Sequence, residues 1–252
     1  MLGQLAREFG PSRVVPVAFH VDYFNDPWKD PFSNPQFSRR EMQYSLLYTR
    51  ANKIDNQSYL YLTPLLMIDG RVPMVGSNGD APAKARAAIR ESLNTPAPVA
   101  LVARFAEPAG TPRNPASDRT RELKVNLRAQ SPALAGQEVL VQVVTIEDGL
   151  STQVAAGELK GETYRARFTA RDFAFESMAL TQGAAGEARF PIKLAPEGKP
   201  ENTSVVVLVQ DEATGQILQA RRITWPTPTA SPSESKHRAD DPTTKRPDSG
   251  NP

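Results

Sequence analysis

The sequence predicts an α/β domain, followed by a β-sandwich-like domain and a disordered tail. Residues 1–93 combine a short apolar run with amphipathic helical patterns and a hairpin signal. Residues 99–225 consist of short strand-like runs separated by turn residues, which is typical of a sandwich. Residues 226–252 are rich in Pro, Ser, Thr and charge, and they hold no aliphatic side chain larger than Ala. That tail cannot bury enough apolar surface to offset its ordering entropy.

Composition excludes several kinds of function. The 252 residues contain no cysteine, so disulfides, thiol catalysis and cysteine-based metal centres are excluded for this sequence. Because 30 Lys and Arg nearly balance 28 Asp and Glu, and no basic block lies on a periodic face, no nucleic-acid partner is expected. The longest apolar runs are far too short to cross a bilayer, so no transmembrane segment is expected. No glycine-rich phosphate motif is present, and no cofactor is predicted.

The first elements indicate an α/β arrangement. Residues 2–9 predict the end of an amphipathic helix that stops at Gly10, and they lack the features of a signal peptide. A chain that opens inside a helix, without a cap or a preceding strand, is expected to be shortened at its start. Residues 14–21 are short and almost continuously apolar, which predicts a strand buried on both faces of a helix-covered sheet. Pro16 favours an edge position or a bulge near the beginning of that strand.

Two further helices enclose a hairpin in this first part. Asn34 and Pro35 are the residue types preferred at the N-cap and the first position of a helix, which is expected to end near residue 51. Asp69 and Gly70 predict a tight turn between strands, because both residue types tolerate a positive φ. Apolar residues at helical spacing predict a last helix over residues 82–93, and the Pro-rich residues 94–98 form a linker between the two domains.

Beyond the linker the apolar pattern changes to strands. One predicted strand, residues 163–170, alternates apolar and basic side chains, so that Arg165, Arg167 and Arg171 would form a stripe. The stripe is either a ligand-binding face or an ordinary solvent face. Residues 107–117 predict an exposed Pro-rich loop. The predicted strands are residues 99–105, 122–128, 138–146, 153–155, 163–170, 188–194, 204–210 and 216–225.

The loop after residues 14–21 holds the candidate functional residues. His20 lies at the end of the predicted strand, where α/β proteins collect their sites. It either orients or protonates a reacting group, or it is a structural histidine bonded to the loop aspartates. Trp28 either anchors the loop or faces a substrate. No Gly-x-Ser-x-Gly motif accompanies His20, which argues against a serine hydrolase.

Three aspartates in this loop are weak candidates for a cation site. Asp22, Asp26 and Asp30 supply oxygen ligands, but their spacing lacks the central Gly and distal Glu of a calcium-binding loop. Capping and turn hydrogen bonds are the alternative role. We therefore predict no metal site, and the three aspartates remain weak candidates for one.

Several short motifs carry a resemblance to a known family. The chain resembles a bacterial family of exported proteins with a thioredoxin-like domain, known mainly as a domain of unknown function. The resemblance extends over about residues 1–223 and implies that residues 1–93 are a thioredoxin-like domain lacking its first strand. The motifs are Phe-His-Val-Asp-Tyr at 19–23, Trp-Lys-Asp-Pro-Phe at 28–32, Thr-Pro at 63–64, Asp-Gly-Arg at 69–71 and Val-Gly-Ser at 75–77.

The resemblance also implies what would precede Met1. Family members usually begin with a signal peptide, a strand and a Cys-x-x-Cys loop, all of which would lie upstream of this sequence. A misassigned start codon, a true fragment and a different N-terminus remain alternatives. Thr63 and Pro64 match the proline that faces the thiols in this family, where the peptide bond is cis; an ordinary trans bond is the other reading. His20, Asp22 and Trp28 would frame the same site.

Two functions follow as hypotheses. The complete protein would be a periplasmic or secreted thiol–disulfide oxidoreductase or a relative of one, although the sequence as given supplies no thiol and is expected to be inactive. The alternative is a non-enzymatic binding module of the cell envelope. The expected partners are exported protein substrates or an envelope protein, and the sequence leaves the oligomeric state open.

Overall fold

A computed structural model describes residues 1–106, 119–183 and 185–226. The predicted loop at 107–117 and almost all of the predicted tail at 226–252 lie outside the described residues, so both stay predictions. Within the described residues the chain forms three α-helices and eleven β-strands. They are α1 (Leu2–Phe9), α2 (Pro35–Ala51), β1 (Leu65–Ile68), β2 (Val72–Val75), α3 (Ala81–Leu93), β3 (Val99–Phe105), β4 (Thr120–Ala129), β5 (Glu138–Glu147), β6 (Leu150–Gln153), β7 (Thr163–Ala166), β8 (Thr169–Ala179), β9 (Gly186–Lys193), β10 (Thr203–Asp211) and β11 (Ile217–Thr224).

Two antiparallel sheets make up most of the described structure. The first has the strand order β11-β10-β5-β8 and the second has the order β3-β4-β9. Alternate residues of the strands point between the sheets and form the largest core cluster, as Val139, Val141 and Val143 of β5 do. In β4 and β9, buried residues that face the other sheet alternate with more exposed residues that face outwards, and the sequence shows this as alternating apolar and polar residues.

The central strands of the first sheet are buried on both faces. In β10, Val205, Val207 and Val209 belong to the core between the sheets. Val206 and Leu208 belong to a second cluster on the opposite face, together with Phe37 of α2. This double burial explains why residues 205–209 are continuously apolar although the sheet is antiparallel, since neither face meets water.

The N-terminal residues cover that outer face. The ring of Phe19 packs edge-on against Phe37 with centroids 5.2 Å apart, and Val15 and Val17 join the same cluster. A third, smaller cluster joins α1, the β1–β2 hairpin and α3, and includes Leu5, Met74 and Ile89. The division of the chain into two domains at residues 94–98 stays a prediction. Residues from both sides of this division contribute to the cluster that contains Phe37 and Val206.

The predicted α/β thioredoxin-like fold is wrong. The described residues contain only antiparallel sheets, and the only parallel pairing is an isolated bridge between Ala18 and Thr169. Residues 14–21 do not pair with β1; they lie instead along β8, where the Ala18 N–H donates to the Phe168 C=O at 2.8 Å. The strand β1 pairs only with β2. Without a shared neighbour, two short apolar segments cannot form a helix-covered sheet, and residues 14–21 find their partner at the edge of the sandwich.

The predicted strand at residues 163–170 is interrupted. Phe168 has φ of 54°, which an extended strand does not allow, so β7 ends at Ala166 and β8 begins at Thr169. The predicted basic stripe is interrupted with it. The side chain of Arg171 is only 12% exposed and pairs with the buried carboxylate of Glu147 and the exposed carboxylate of Glu197, so it is not part of an open basic face.

Candidate functional site

A cavity of about 950 Å³ lies between the N-terminal residues and the first sheet. We call it the central cavity. Its walls are residues 14–21 on one side and β1 on the other, with α2 and the beginning of β11 completing the enclosure. This volume is at the upper end of the range typical of ligand-binding pockets. The central cavity is therefore the candidate functional site, and the position of each predicted site residue is given relative to it.

One wall offers unpaired backbone groups. Ala18 forms a β-bridge to Thr169, with its N–H donating to the Phe168 C=O and its C=O accepting from the Ala170 N–H, so the chain is extended at this point. Because successive residues of an extended chain point their backbone groups to opposite sides, those of Val17 and Phe19 face away from β8. Neither the Val17 nor the Phe19 N–H has a backbone partner in the described residues.

The facing wall offers a second unpaired edge. The Gly76 N–H donates to the Pro64 C=O at 2.7 Å, which assigns the even-numbered residues of β1 to the ladder with β2. Leu65 and Met67 therefore direct their N–H and C=O groups away from β2. The same edge carries the Asp69 C=O, which accepts from the Ile217 N–H at 2.9 Å and so anchors β1 to β11.

His20 and Asp30 form a hydrogen-bonded pair at the rim of the central cavity. The Nδ1–H of His20 donates to Oδ2 of Asp30 at 2.6 Å, and the side chains are 10% and 21% exposed. The Phe32 N–H donates to Oδ1 of Asp30 at 2.8 Å. The ring of His20 lies edge-on to Phe32 and Tyr164, with centroids 5.7 and 5.9 Å away. These contacts correspond to the structural role considered for His20.

The environment of Asp30 favours its charged form. Burial by itself would raise the pKa of this carboxyl, but the hydrogen bonds from His20 and the Phe32 N–H outweigh burial, and the pKa is lowered below its usual value. A lowered pKa in the folded state means that the carboxylate contributes stability above the ordinary Asp pKa of about 4. That contribution is lost as the pH falls through the lowered value.

Replacing Asp30 with asparagine should therefore have a pH-dependent effect. We expect the Asp30→Asn variant to be about 1–2 kcal/mol less stable than wild type at neutral pH, since it loses a hydrogen bond to a charged group. The difference should shrink as the pH falls below about 4. Urea unfolding across this range measures it, with the exposed Asp55→Asn variant as control. An equal effect of Asp30→Asn at low and neutral pH would contradict the role of its charge.

The three loop aspartates are not brought together. Asp22 exchanges hydrogen bonds with the Ser38 side chain of α2, and its N–H donates to Ser38 Oγ at 3.0 Å. Asp26 is exposed, and Asp30 is bound to His20. Across the described ranges, no three His, Cys, Asp or Glu side chains are grouped closely enough to hold a metal ion. The bond from the Phe32 N–H to Asp30 is of the turn type, whereas the Asp22 side chain makes a tertiary contact with Ser38.

The remaining predicted site residues lie on the same cavity. Trp28 is half-buried and lines it, as do Thr63 and Pro64. The peptide bond between Thr63 and Pro64 is cis, which is one of the two readings of that dipeptide. The structure thus places His20, Trp28, Thr63 and Pro64 around one space, whereas Asp22 binds α2 outside it. Their roles as site residues stay a prediction.

Sequence reasoning missed the polar side chains that α2 directs at the central cavity. Arg40, Glu41 and Tyr44 line it. Burial raises the pKa of Glu41, whose carboxylate accepts a hydrogen bond from the Tyr23 hydroxyl at 2.9 Å. Burial also raises the pKa of Tyr44 to about 12, and its hydroxyl donates to the Gly215 C=O. Glu41 and Tyr44 recur with Phe37 at helical spacing, which predicts that they share the mainly apolar face of α2, but this spacing does not predict a cavity beside them.

Fold and site together define a β-sandwich protein with a mainly helical N-terminal part that encloses a ligand-sized cavity. The chain belongs to the family described as "Protein of unknown function (DUF1223)", which matches residues 1–210. The predicted membership of a family of unknown function is confirmed at this level. No curated protein matches the chain. None of the helices in the part that the structure describes is long and apolar enough to cross a membrane.

Solved structures provide a comparison for the fold. HBP35 of Porphyromonas gingivalis is similar with a TM-score of 0.50 and 11% sequence identity, over 78% of this chain and 74% of that chain. At this identity the likeness concerns the fold alone. A domain of the outer membrane lipoprotein Omp28 from Porphyromonas gingivalis matches 51% of this chain and 88% of that chain, with 13% identity and a TM-score of 0.29.

Proposed function

We propose that this protein is a non-enzymatic binding module that takes up an extended peptide segment in the central cavity. The observation that carries the proposal is the pair of strand edges on this cavity that have no strand partner within the described residues. The partner is an exported protein or another envelope protein, and the periplasmic or secreted location is part of the proposal. A thiol reaction is not part of it, since the sequence supplies no thiol.

Backbone chemistry favours a peptide over other ligands. Unpaired N–H and C=O groups along a strand edge are a template on which an extended peptide can add as a further strand. An added strand presents donors and acceptors on both of its sides, which suits a cavity with strand edges on two of its walls. A ligand without a peptide backbone satisfies few of these groups.

The side chains around the edges favour an apolar peptide. Val17 and Phe19 come from the first wall, Leu66 and Ile68 from the second, and all four are only partly buried. Alternate side chains of an added strand would contact them on the two faces of the strand. Apolar area that is removed from water in this way stabilises the complex by about 25 cal/mol per Å² before the ordering of the peptide is counted.

Binding of a synthetic strand tests the proposal. The probe is a short fluorescent peptide of alternating valine and threonine, flanked by lysines, with a blocked N-terminus and an amidated C-terminus. We expect saturable binding by fluorescence anisotropy. A peptide with the same side chains but N-methylated alternate backbone nitrogens should bind about tenfold or more weakly, since it loses several hydrogen bonds. Equal binding of both peptides, or none by either, would overturn the proposal.

A pair of variants at Met67 locates the binding edge. Met67→Pro removes an N–H that we assign to the central cavity, and proline is tolerated at the unpaired side of an edge strand. Met67→Ala removes a similar amount of side chain but keeps the N–H. We expect peptide affinity to fall about tenfold further in Met67→Pro than in Met67→Ala, with thermal unfolding checked for both. Indistinguishable affinities in two folded variants would argue against pairing with β1.

A further inference from the structure

Arg40 is a half-buried cation that has no charged partner among the described residues. It lies on α2 with its guanidinium carbon 4.3 Å above the ring centroid of Phe19 and 5.2 Å from that of Tyr44. Its Nε–H donates to Oε1 of Gln142 at 3.0 Å. Within the described residues no carboxylate oxygen lies within 4.0 Å of its guanidinium nitrogens. The positive charge therefore has no counterion in this part of the chain.

The other acids around the central cavity do not compensate Arg40. Asp30 is bound to His20, and Glu41 accepts from Tyr23. Asp69 lies near Tyr44 but forms no ion pair within the described residues. Burial lowers the pKa of Arg40, yet an arginine stays charged at any physiological pH. A guanidinium that lines a cavity without a nearby carboxylate can bind an anionic group of a ligand there.

The surrounding network orients the guanidinium. The side-chain amide of Gln142 donates to Gln210, and Nε2 of Gln210 donates to the Gly215 C=O at 3.2 Å. This chain of hydrogen bonds fixes Oε1 of Gln142 as the acceptor for Nε of Arg40. The two terminal nitrogens make no hydrogen bond among the described residues, and Arg40 lines the central cavity. They are consequently available to a ligand in that space.

We infer that Arg40 binds a carboxylate of the peptide taken up in the central cavity. The planar guanidinium matches a carboxylate with two parallel N–H···O bonds, and the phenyl ring of Phe19 supports its face. The carboxylate belongs either to the C-terminus of the peptide or to an Asp or Glu side chain. This inference rests on the proposed function, which it refines by adding a negative charge to the ligand.

Matched peptides test the inference. The valine–threonine peptide is prepared in two forms, one with a free C-terminal carboxylate and one with a C-terminal amide, and their affinities are compared. Wild type should bind the acid about tenfold more tightly, and Arg40→Met, which keeps most of the packing volume, should bind both equally. Arg40→Lys should retain a weaker preference for the acid, which keeps the test valid if the methionine variant fails to fold. Amidated peptides with glutamate or glutamine in the last position separate a side-chain carboxylate from a terminal one.

The outcomes separate this inference from the proposed function. If wild type binds amide and acid equally well, and the amidated glutamate and glutamine peptides equally too, peptide binding stands and the role of Arg40 is overturned. If no peptide binds, the proposed function itself fails. A preference for carboxylate that persists unchanged in Arg40→Met would also overturn the inference. Loss of the preference in Arg40→Met, with unchanged affinity for the amide, would support it.

Discussion

Replacing Gly70 with alanine should destabilise the protein by about 3–4 kcal/mol. Gly70 has φ of +68°, a conformation that a residue with a Cβ adopts only with strain. A Cβ at this position would overlap the Gly215 C=O and the Tyr44 hydroxyl and would lie 3.1 Å from the Gln216 Cα. Two of these neighbours are backbone, which cannot move aside without separating the hairpin from β11. We therefore expect loss of the contact between β1 and the sandwich.

Urea unfolding followed by circular dichroism measures this effect. Gly79→Ala is the matched control, because a Cβ there meets no heavy atom within 4 Å and the residue has no left-handed φ. We expect the control to change the free energy of unfolding by no more than about 0.5 kcal/mol. If Gly70→Ala were as stable as Gly79→Ala, the close approach of the hairpin to residues 215–216 would be refuted.

Replacing Phe37 with alanine should cost about 3–5 kcal/mol. Phe37 is only 2% exposed, and it joins α2 to the outer face of the first sheet in the cluster that contains Ile146 and Val206. Its removal takes away apolar contacts on that face and enlarges the central cavity, which the ring also lines. Because the protein cannot collapse fully into the space, the loss includes a cavity cost as well as the transfer cost.

Leu46→Ala is the matched control for Phe37→Ala. Leu46 lies on the same helix but is 37% exposed, so its truncation should cost about 1 kcal/mol or less. Thermal unfolding of both variants, followed by circular dichroism, compares them. Equal losses of stability would mean that α2 is not held to the sheet through Phe37.

The sequence was informative wherever local chemistry decides structure. The side chain of Asn34 caps α2 by accepting from the Gln36 N–H at 2.9 Å, and Pro35 occupies the first turn, as their residue types predicted. Asp69 and Gly70 both have positive φ, at 48° and 68°, between the two predicted strands. Strand β3 has the predicted bounds, and β5, β9 and β10 lie within one or two residues of theirs. Caps, turns and period-two alternation depend on neighbours in the chain, so they can be read without the fold.

The sequence was misleading where the partner of a segment is distant. Residues 14–21 have the apolar run of a strand buried in a helix-covered sheet, and the motif resemblance supported that reading. The same run is also what a segment needs to lie against the outer face of an antiparallel sheet, which is where Val15 and Val17 pack. A continuous apolar run indicates that both faces of a segment are buried, but it does not indicate which element buries them. The same ambiguity applies to β10, whose second face is covered by α2.

By itself, then, the sequence determined the caps, the tight turn, most strands of the sandwich, the absence of a thiol and the family. Only the tertiary structure decided that Ala18 bridges to Thr169 and that residues 14–21 and β1 line one cavity. It also decided that Arg40 lines this cavity without a carboxylate partner in the described residues. The physical reason is that hydrogen bonds within turns and caps join neighbours in the chain. The pairing of strand edges and the burial of a charge depend on which distant segments meet.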